Sequence, residues 1–274
     1  MIDTLQSHWG FTVMPFTAAI PVPGLFGSAA HNQAVARLRW LISARGLGIL
    51  TGEVGAGKTV ALRAAVSGLD ASRHTLIYLP NPQVGTRGIH GAVATALGQA
   101  PRFHHATLIP QVEAALAVET GERNRNVILA IDESHLMTHD QLEAVRMLTN
   151  SELDSGSPLT ILLIGQPTLR RRLRVGDMAA LDQRVQLRYH IPAPALTLEE
   201  AGGYIRAHLS RAGRSDTLFS DDAVRVTHAQ ARGLPRAINR LAITALLAAC
   251  ATGKTIVNES SARTAISEEA AATD

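Results

Sequence analysis

The chain has 274 residues, enough to bury a core in one large domain or in one with a small satellite. Apolar residues make up 46% and charged ones 18%, which excludes a disordered chain; the longest apolar runs, such as 242–251, fall short of the ~20 residues of a membrane span. The 26 basic residues barely outnumber the 23 acidic ones, and a net charge of +3 is by itself a weak argument for nucleic-acid binding.

The N-terminal stretch shows no basic region followed by an apolar core, so no signal peptide is expected and no membrane partner. The single cysteine, Cys250, has no internal disulfide partner, and a cytoplasmic location is the simplest expectation. It lies in an Ala/Leu-rich helical run and reads as a buried core thiol. Lysine occurs only at Lys58 and Lys254; every other cation is arginine.

Short apolar runs at 47–51, 75–79, 127–131, 160–164 and 185–191 alternate with helical patterns. Continuous apolar strands separated by helices predict a parallel sheet covered on both faces. Beyond Pro192 and Pro194 the strands stop, and helices are expected over 197–211, 220–232, 235–251 and roughly 259–270. Thr138 with Gln141, and Thr197 with Glu200, have the spacing of capping boxes. Gly233-Leu234-Pro235 closes one helix and opens the next. The predicted architecture is an α/β domain over 1–194, with a leading segment 1–45, followed by a small all-α lid over 195–274.

Gly52-Glu53-Val54-Gly55-Ala56-Gly57-Lys58-Thr59 follows the first strand and, from Val60, runs into a helical pattern. That is the context of a P-loop, whose backbone N–H groups converge on nucleotide phosphates at a helix N-terminus. Lys58 is expected to reach the β- and γ-phosphates and Thr59 to ligate Mg²⁺. A second Gly-Lys-Thr, at 253–255, follows a helix and reads as its C-terminal cap. The strand at 127–131 ends in Asp132-Glu133, adjacent carboxylates at the edge where α/β ligands bind. Asp132 is expected to hold Mg²⁺, largely through water, and Glu133 to polarise an attacking water. His135 is read as local structure.

The order GEVGAGKT, VILAIDESHLM, LTILLIGQPTL, LDQRVQLRYHIPAPALT and GLPRAINRLA resembles the AAA+ ATPases of the ExeA type, over nearly the whole chain. That family joins a secretion ATPase, ExeA/GspA, with transposon-encoded relatives such as TnsC, TniB and, more distantly, MuB. The resemblance implies a P-loop AAA+ core with a five-stranded parallel sheet and a helical lid. It also implies ATP and Mg²⁺ as cofactors. Gln166 resembles the sensor-1 residue and Arg236 the sensor-2 arginine. Arg184 resembles an arginine finger reaching a neighbouring subunit, with Arg188 the alternative. Pro15, Phe16 and His31 would border the adenine.

Secretion ATPases of this type carry a membrane span and a peptidoglycan-binding module after the AAA+ unit. The sequence ends at Asp274 without either, and the expectation is therefore the transposon-encoded branch. Such proteins form an ATP-dependent homo-oligomer, a ring or helical filament, on duplex DNA and recruit a transposase. A secretion-associated ATPase and a helicase-loader or signalling ATPase are the alternatives. For DNA contacts the densest basic cluster is Arg170, Arg171, Arg172 and Arg174, with Arg102 beyond the second strand's helix. No aromatic interleaving is read in the basic segments, which disfavours single strands. His90, His104 and His105 lack the companions of a zinc site.

Overall fold

In a computed structural model, residues 2–17, 20–150, 157–174 and 176–271 are described. The chain divides into two compact units, one of Gln33–Val54 and Lys58–Ile191, the other of Met1–Asn32, Gly55–Gly57 and Pro192–Asp274.

The first unit holds one sheet of five parallel strands in the order β2-β3-β4-β1-β5. These are β1 (Leu47–Thr51), β2 (His74–Leu79), β3 (Asn126–Ile131), β4 (Leu159–Gly165) and β5 (Val185–His190). The predicted strands are all present, each within about a residue of its expected bounds. β1, β3 and β4 are buried along their whole length, which is why they read as unbroken apolar runs. β2 lies at one edge and exposes alternate side chains.

Parallel strands need crossovers, and the helices between them supply these. On one face, Leu47, Ile49, Leu129, Ile131, Ile161 and Leu163 pack against α4 (Gly85–Ala96), α5 (His105–Ala117), α6 (His139–Leu148), α7 (Pro167–Leu173) and α8 (Ala179–Arg184). On the other face lie the buried Leu50, Ile128, Ala130 and Leu162, together with apolar residues of α2 (Ala29–Ala44) and α3 (Lys58–Val66). Gly48 admits that approach: a Cβ there would stand 2.2 Å from Leu41 Cδ2. Below the sheet, the buried Asn126 amide donates to Ile42 O at 2.6 Å and accepts from Thr160 Oγ1 at 3.2 Å. Ile42 is in the last turn of α2, where its carbonyl lacks an i+4 donor and accepts only a long bond from Arg45 N–H (3.3 Å) along the chain. The capping box of Thr138 with Gln141 is formed at the start of α6.

The second unit is helical: α1 (Ile2–Trp9), α9 (Leu198–Arg211), α10 (Asp221–Ala231), α11 (Pro235–Ala251) and α12 (Glu259–Ala271). The predicted capping box of Thr197 with Glu200 opens α9. Gly233 has φ +65°, and a Cβ on it would stand 2.4 Å from Pro194 Cβ and 2.5 Å from Leu196 O. Only glycine fits there, and its carbonyl accepts from Leu196 N–H at 3.0 Å. Gly253, in the second Gly-Lys-Thr, follows α11 at φ +66°, as a helix cap does. Cys250 is partly buried against the helical core rather than wholly enclosed.

The sequence places the leading segment 1–45 with the α/β domain. In the structure Leu5, Trp9, Phe11 and Phe16 are buried in the core of the helical unit, and the division falls after Asn32. Four large apolar side chains within sixteen residues outweigh sequence proximity to β1. The Phe16 N–H also finds a buried acceptor in this unit, His208 Nδ1 at 3.1 Å.

Candidate functional site

The site grows from the C-terminal ends of the strands. Thr51 closes β1, its Oγ1 3.1 Å from His190 Nδ1 and its carbonyl accepting from Ile191 N–H at 2.8 Å. Gly55 (φ +83°) and Gly57 (φ +92°) then turn the chain through left-handed conformations, and α3 begins at Lys58. The Lys58 ammonium is nearly buried and donates to Gly52 O and Glu53 O, each at 2.9 Å. Loop and lysine thus form a closed cradle at the N-terminus of a nine-residue helix. Ala56 is buried and Val54 exposed.

Asp132 follows β3 and is buried. Its Oδ2 accepts from Thr59 Oγ1 at 2.8 Å and from Tyr78 OH at 3.0 Å, and its Oδ1 accepts from Glu133 N–H at 2.9 Å. Partial burial and the adjacent carboxylates push the Tyr78 hydroxyl up to about 12, so it remains a donor. Glu133 sits in the left-handed region at φ +51°, unusual for a residue with a side chain. Its carboxylate is half exposed, with Oε2 3.3 Å from the buried His135 Nδ1, within ion-pair range but without hydrogen-bond geometry. Such strain is characteristic of functional positions. Gly165 makes room for this turn, since a Cβ there would stand 3.0 Å from His135 N.

β4 lies between β1 and β3, so Gln166, directly after β4, emerges between the strand ends that carry the loop and Asp132. Its half-buried side chain has no hydrogen-bond partner among the described residues and does not cap α7, although it holds the N-cap position. Arg184, exposed at the end of α8, donates to Thr149 Oγ1 at 2.7 Å, to Arg146 O at 3.3 Å and to Asn150 Oδ1. Arg188 pairs with Asp182 at 2.9 Å and donates to Val185 O. In the helical unit, Arg236 is the second residue of α11 and exposed; its Cβ is 2.7 Å from where a side chain on Gly55 would begin. His31, early in α2, is half-buried, and burial lowers its pKa.

The arginine cluster is not uniform. Arg172 donates to His135 O and Met137 O, both at 2.7 Å, and so pins the turn after Glu133. Arg170, Arg171 and Arg174 are exposed. Arg102 is exposed too, and beside it the Phe103 ring is 80% exposed, between Arg102 and His104, with the Arg87 guanidinium 5.8 Å from its centroid. An aromatic does therefore interleave the basic residues of this segment, contrary to the sequence reading. Tyr78 and Arg172 are the site residues that sequence reasoning missed as such. Tyr78 carries no signal that can be read without the β2–β3 register.

A family model described as an AAA domain matches residues 41–173, a span that takes in the loop, Asp132-Glu133 and Gln166. The sheet order, the loop after β1 and the carboxylates after β3 are the P-loop AAA+ fold. In sequence, the chain is 32% identical over 249 residues to General secretion pathway protein A of Aeromonas hydrophila. The match covers 89% of this chain and 45% of that protein, so the chain spans less than half of its length. In structure, this chain is similar to the Aeropyrum pernix ORC2 protein (TM-score 0.66, 18% identity, 92% of this chain and 70% of that one). It is also similar to the Aeropyrum pernix ORC1 protein solved in complex with DNA (TM-score 0.67, 16% identity, 91% and 68%). Among the described residues no helix is long and apolar enough to cross a membrane.

Proposed function

We propose that this AAA+ chain is an ATPase that oligomerises on duplex DNA and regulates or targets transposition by recruiting a transposase. The observation that carries the ATPase reading is the constellation of Lys58 in its glycine loop, the Thr59–Asp132 pair and the strained Glu133. The residues present fit Mg²⁺–ATP: an ammonium folded over a loop with two left-handed glycines, and a hydroxyl bonded to a buried carboxylate. Gly52 to Val60 would receive the phosphates, and Thr59 with Asp132 would hold Mg²⁺, which would neutralise charge on the phosphate oxygens. Lys58 exchanges loop carbonyls for phosphate oxygens. Glu133 orients water and accepts its proton, and the Gln166 amide offers a hydrogen bond to the same region. Arg184 or Arg188 from a neighbouring subunit, and Arg236 from the lid, would stabilise charge developing in transfer.

The DNA and transposition part rests on the resemblance of the ordered motifs, on the exposed arginines at 102, 170, 171 and 174, and on similarity to the ORC1 protein solved in complex with DNA. The relative at 32% identity supports a second reading, a secretion-associated ATPase of the ExeA/GspA kind. Electron microscopy with duplex DNA and a non-hydrolysable ATP analogue separates the two. Rings or filaments around DNA are expected; particles indifferent to DNA would return the weight to secretion.

A further inference from the structure

Asp132 has more hydrogen-bond donors than the loop and its helix supply. Oδ2 accepts two hydroxyls, from Thr59 at 2.8 Å and from Tyr78 at 3.0 Å, while Oδ1 accepts one backbone N–H, from Glu133. A carboxylate offers about four acceptor positions. Three are filled from three directions: α3, the edge strand and the chain's own next residue. One position, on Oδ1, is left.

The placement of Tyr78 follows from register. β2 and β3 pair in parallel with Tyr78 opposite Ala130, and side chains on a strand alternate in facing. Tyr78, Ala130 and Asp132 therefore share a face, the one opposite to Ile77, Leu79, Leu129 and Ile131, which pack with the helices after β2. The ring is 42% exposed at the edge of the sheet, so packing alone does not require an aromatic there. The hydroxyl, by contrast, reaches the buried carboxylate.

We propose that Tyr78 is a positioning residue for Asp132: its hydroxyl fills the second acceptor position of Oδ2, fixes the carboxylate plane and leaves Oδ1 to face the hydration shell of a nucleotide-bound Mg²⁺. The proposal rests on the reading of Asp132 as the metal-holding carboxylate. Without the Tyr78 hydroxyl, the carboxylate keeps Thr59 and the Glu133 N–H but can turn about its terminal torsion, and the divalent ion loses a preset partner. Groups of this kind around metal ligands typically change affinity by about tenfold or more when removed.

The experiment titrates Mg²⁺ into the full chain with a fluorescent non-hydrolysable ATP analogue, comparing wild type, Tyr78→Phe and Asp132→Asn, and repeats the binding in EDTA. For Tyr78→Phe the expected result is a Mg²⁺ midpoint raised roughly tenfold, with affinity in EDTA and melting temperature unchanged. A shift for Asp132→Asn with none for Tyr78→Phe overturns the role of Tyr78 and leaves the metal reading standing. No shift in either variant overturns both. Equal weakening with and without Mg²⁺, accompanied by a lower melting temperature, makes Tyr78 a packing residue and also overturns the proposal.

Discussion

On the proposed reading Lys58 binds phosphate and Glu133 acts on water, so their substitutions should separate binding from turnover. The Lys58 ammonium already sits on two loop carbonyls, and phosphate oxygens are stronger acceptors for the same charge. Lys58→Ala should weaken ATP binding by about 2–3 kcal/mol or more, roughly a hundredfold, with the fold intact; equal affinity in a folded variant, measured calorimetrically, would remove the phosphate role. Glu133→Gln keeps the size of the side chain but removes the proposed base. Binding should persist while turnover falls by about 10²–10⁴, and parental hydrolysis in a phosphate-release assay would assign water orientation to another group. A third residue acts on stability. His208 is buried, stacks on Phe16 (4.9 Å) with the Tyr204 ring tilted against it (4.4 Å), and accepts the Phe16 N–H, which requires a neutral ring. Burial first, and Arg211 second, lower its pKa to about 4. The unfolded chain thus binds a proton, near pH 6.5, that the folded chain takes up only near pH 4. The stability involved is fully present above about pH 6.5 and is lost progressively as pH falls towards 4, by about 3 kcal/mol in all. Urea unfolding of wild type and His208→Gln at pH 5 and 7 checks this: the variant should lose most of the difference between the two pH values.

At the scale of elements, α2 meets the sheet through one buried polar junction. Asn126 joins the last turn of α2 to β3 and β4 through Ile42 O and Thr160 Oγ1, and Thr160 Oγ1 lies 3.4 Å from Ile42 O as well. Asn126→Ala would remove the shortest of the bonds at this junction and leave Ile42 O with the longer ones from Arg45 N–H (3.3 Å) and Thr160 Oγ1 (3.4 Å), and should cost about 1–2 kcal/mol. The readout is a lower urea midpoint at unchanged slope; a loss below about 0.5 kcal/mol would mean that water replaces the amide. This junction also shows what the sequence could and could not convey. The five strands were legible because buried parallel strands are unbroken apolar runs, and the helices after Pro194 because their caps are written in Thr197, Glu200, Gly233 and Pro235. The loop and Asp132-Glu133 were legible as contiguous motifs. Tyr78 and Arg172 were not, because each reaches its partner across the fold: Tyr78 needs the β2–β3 register, and Arg172 needs the turn at 135–137 to lie beside α7. The leading segment was misplaced for a similar reason. Leu5, Trp9, Phe11 and Phe16 state that the segment is buried, but not against which unit.

At the scale of the whole molecule, both remaining expectations depend on more than one copy. Within one chain Arg184 is held at the C-terminal end of α6, a favourable place for a cation. As a finger in trans it would leave those partners on assembly, so Arg184→Ala should keep nucleotide binding and lose most turnover. Mixing it with Glu133→Gln should restore part of the rate, since one mixed interface then has both groups intact; no recovery in demonstrated mixed oligomers would favour Arg188. DNA binding follows the same logic. A net charge of +3 gives a single copy few phosphate contacts, whereas copies arrayed along a duplex repeat Arg170, Arg171 and Arg174 at each step. Binding should therefore require ATP or its analogue, tolerate unrelated sequences, and fall steeply with salt as counterions are released. Reversing Arg170, Arg171 and Arg174 to glutamate should flatten the salt slope and weaken binding alike on all sequences. Arg172→Glu should act differently, loosening the turn after Glu133 and lowering turnover even without DNA, because its guanidinium holds the carbonyls of His135 and Met137. Anisotropy titrations over a salt series, with analogue, ADP or no nucleotide, decide the matter. Equal binding in every nucleotide state, or none at low salt, would set the transposition reading aside in favour of the secretion-associated one.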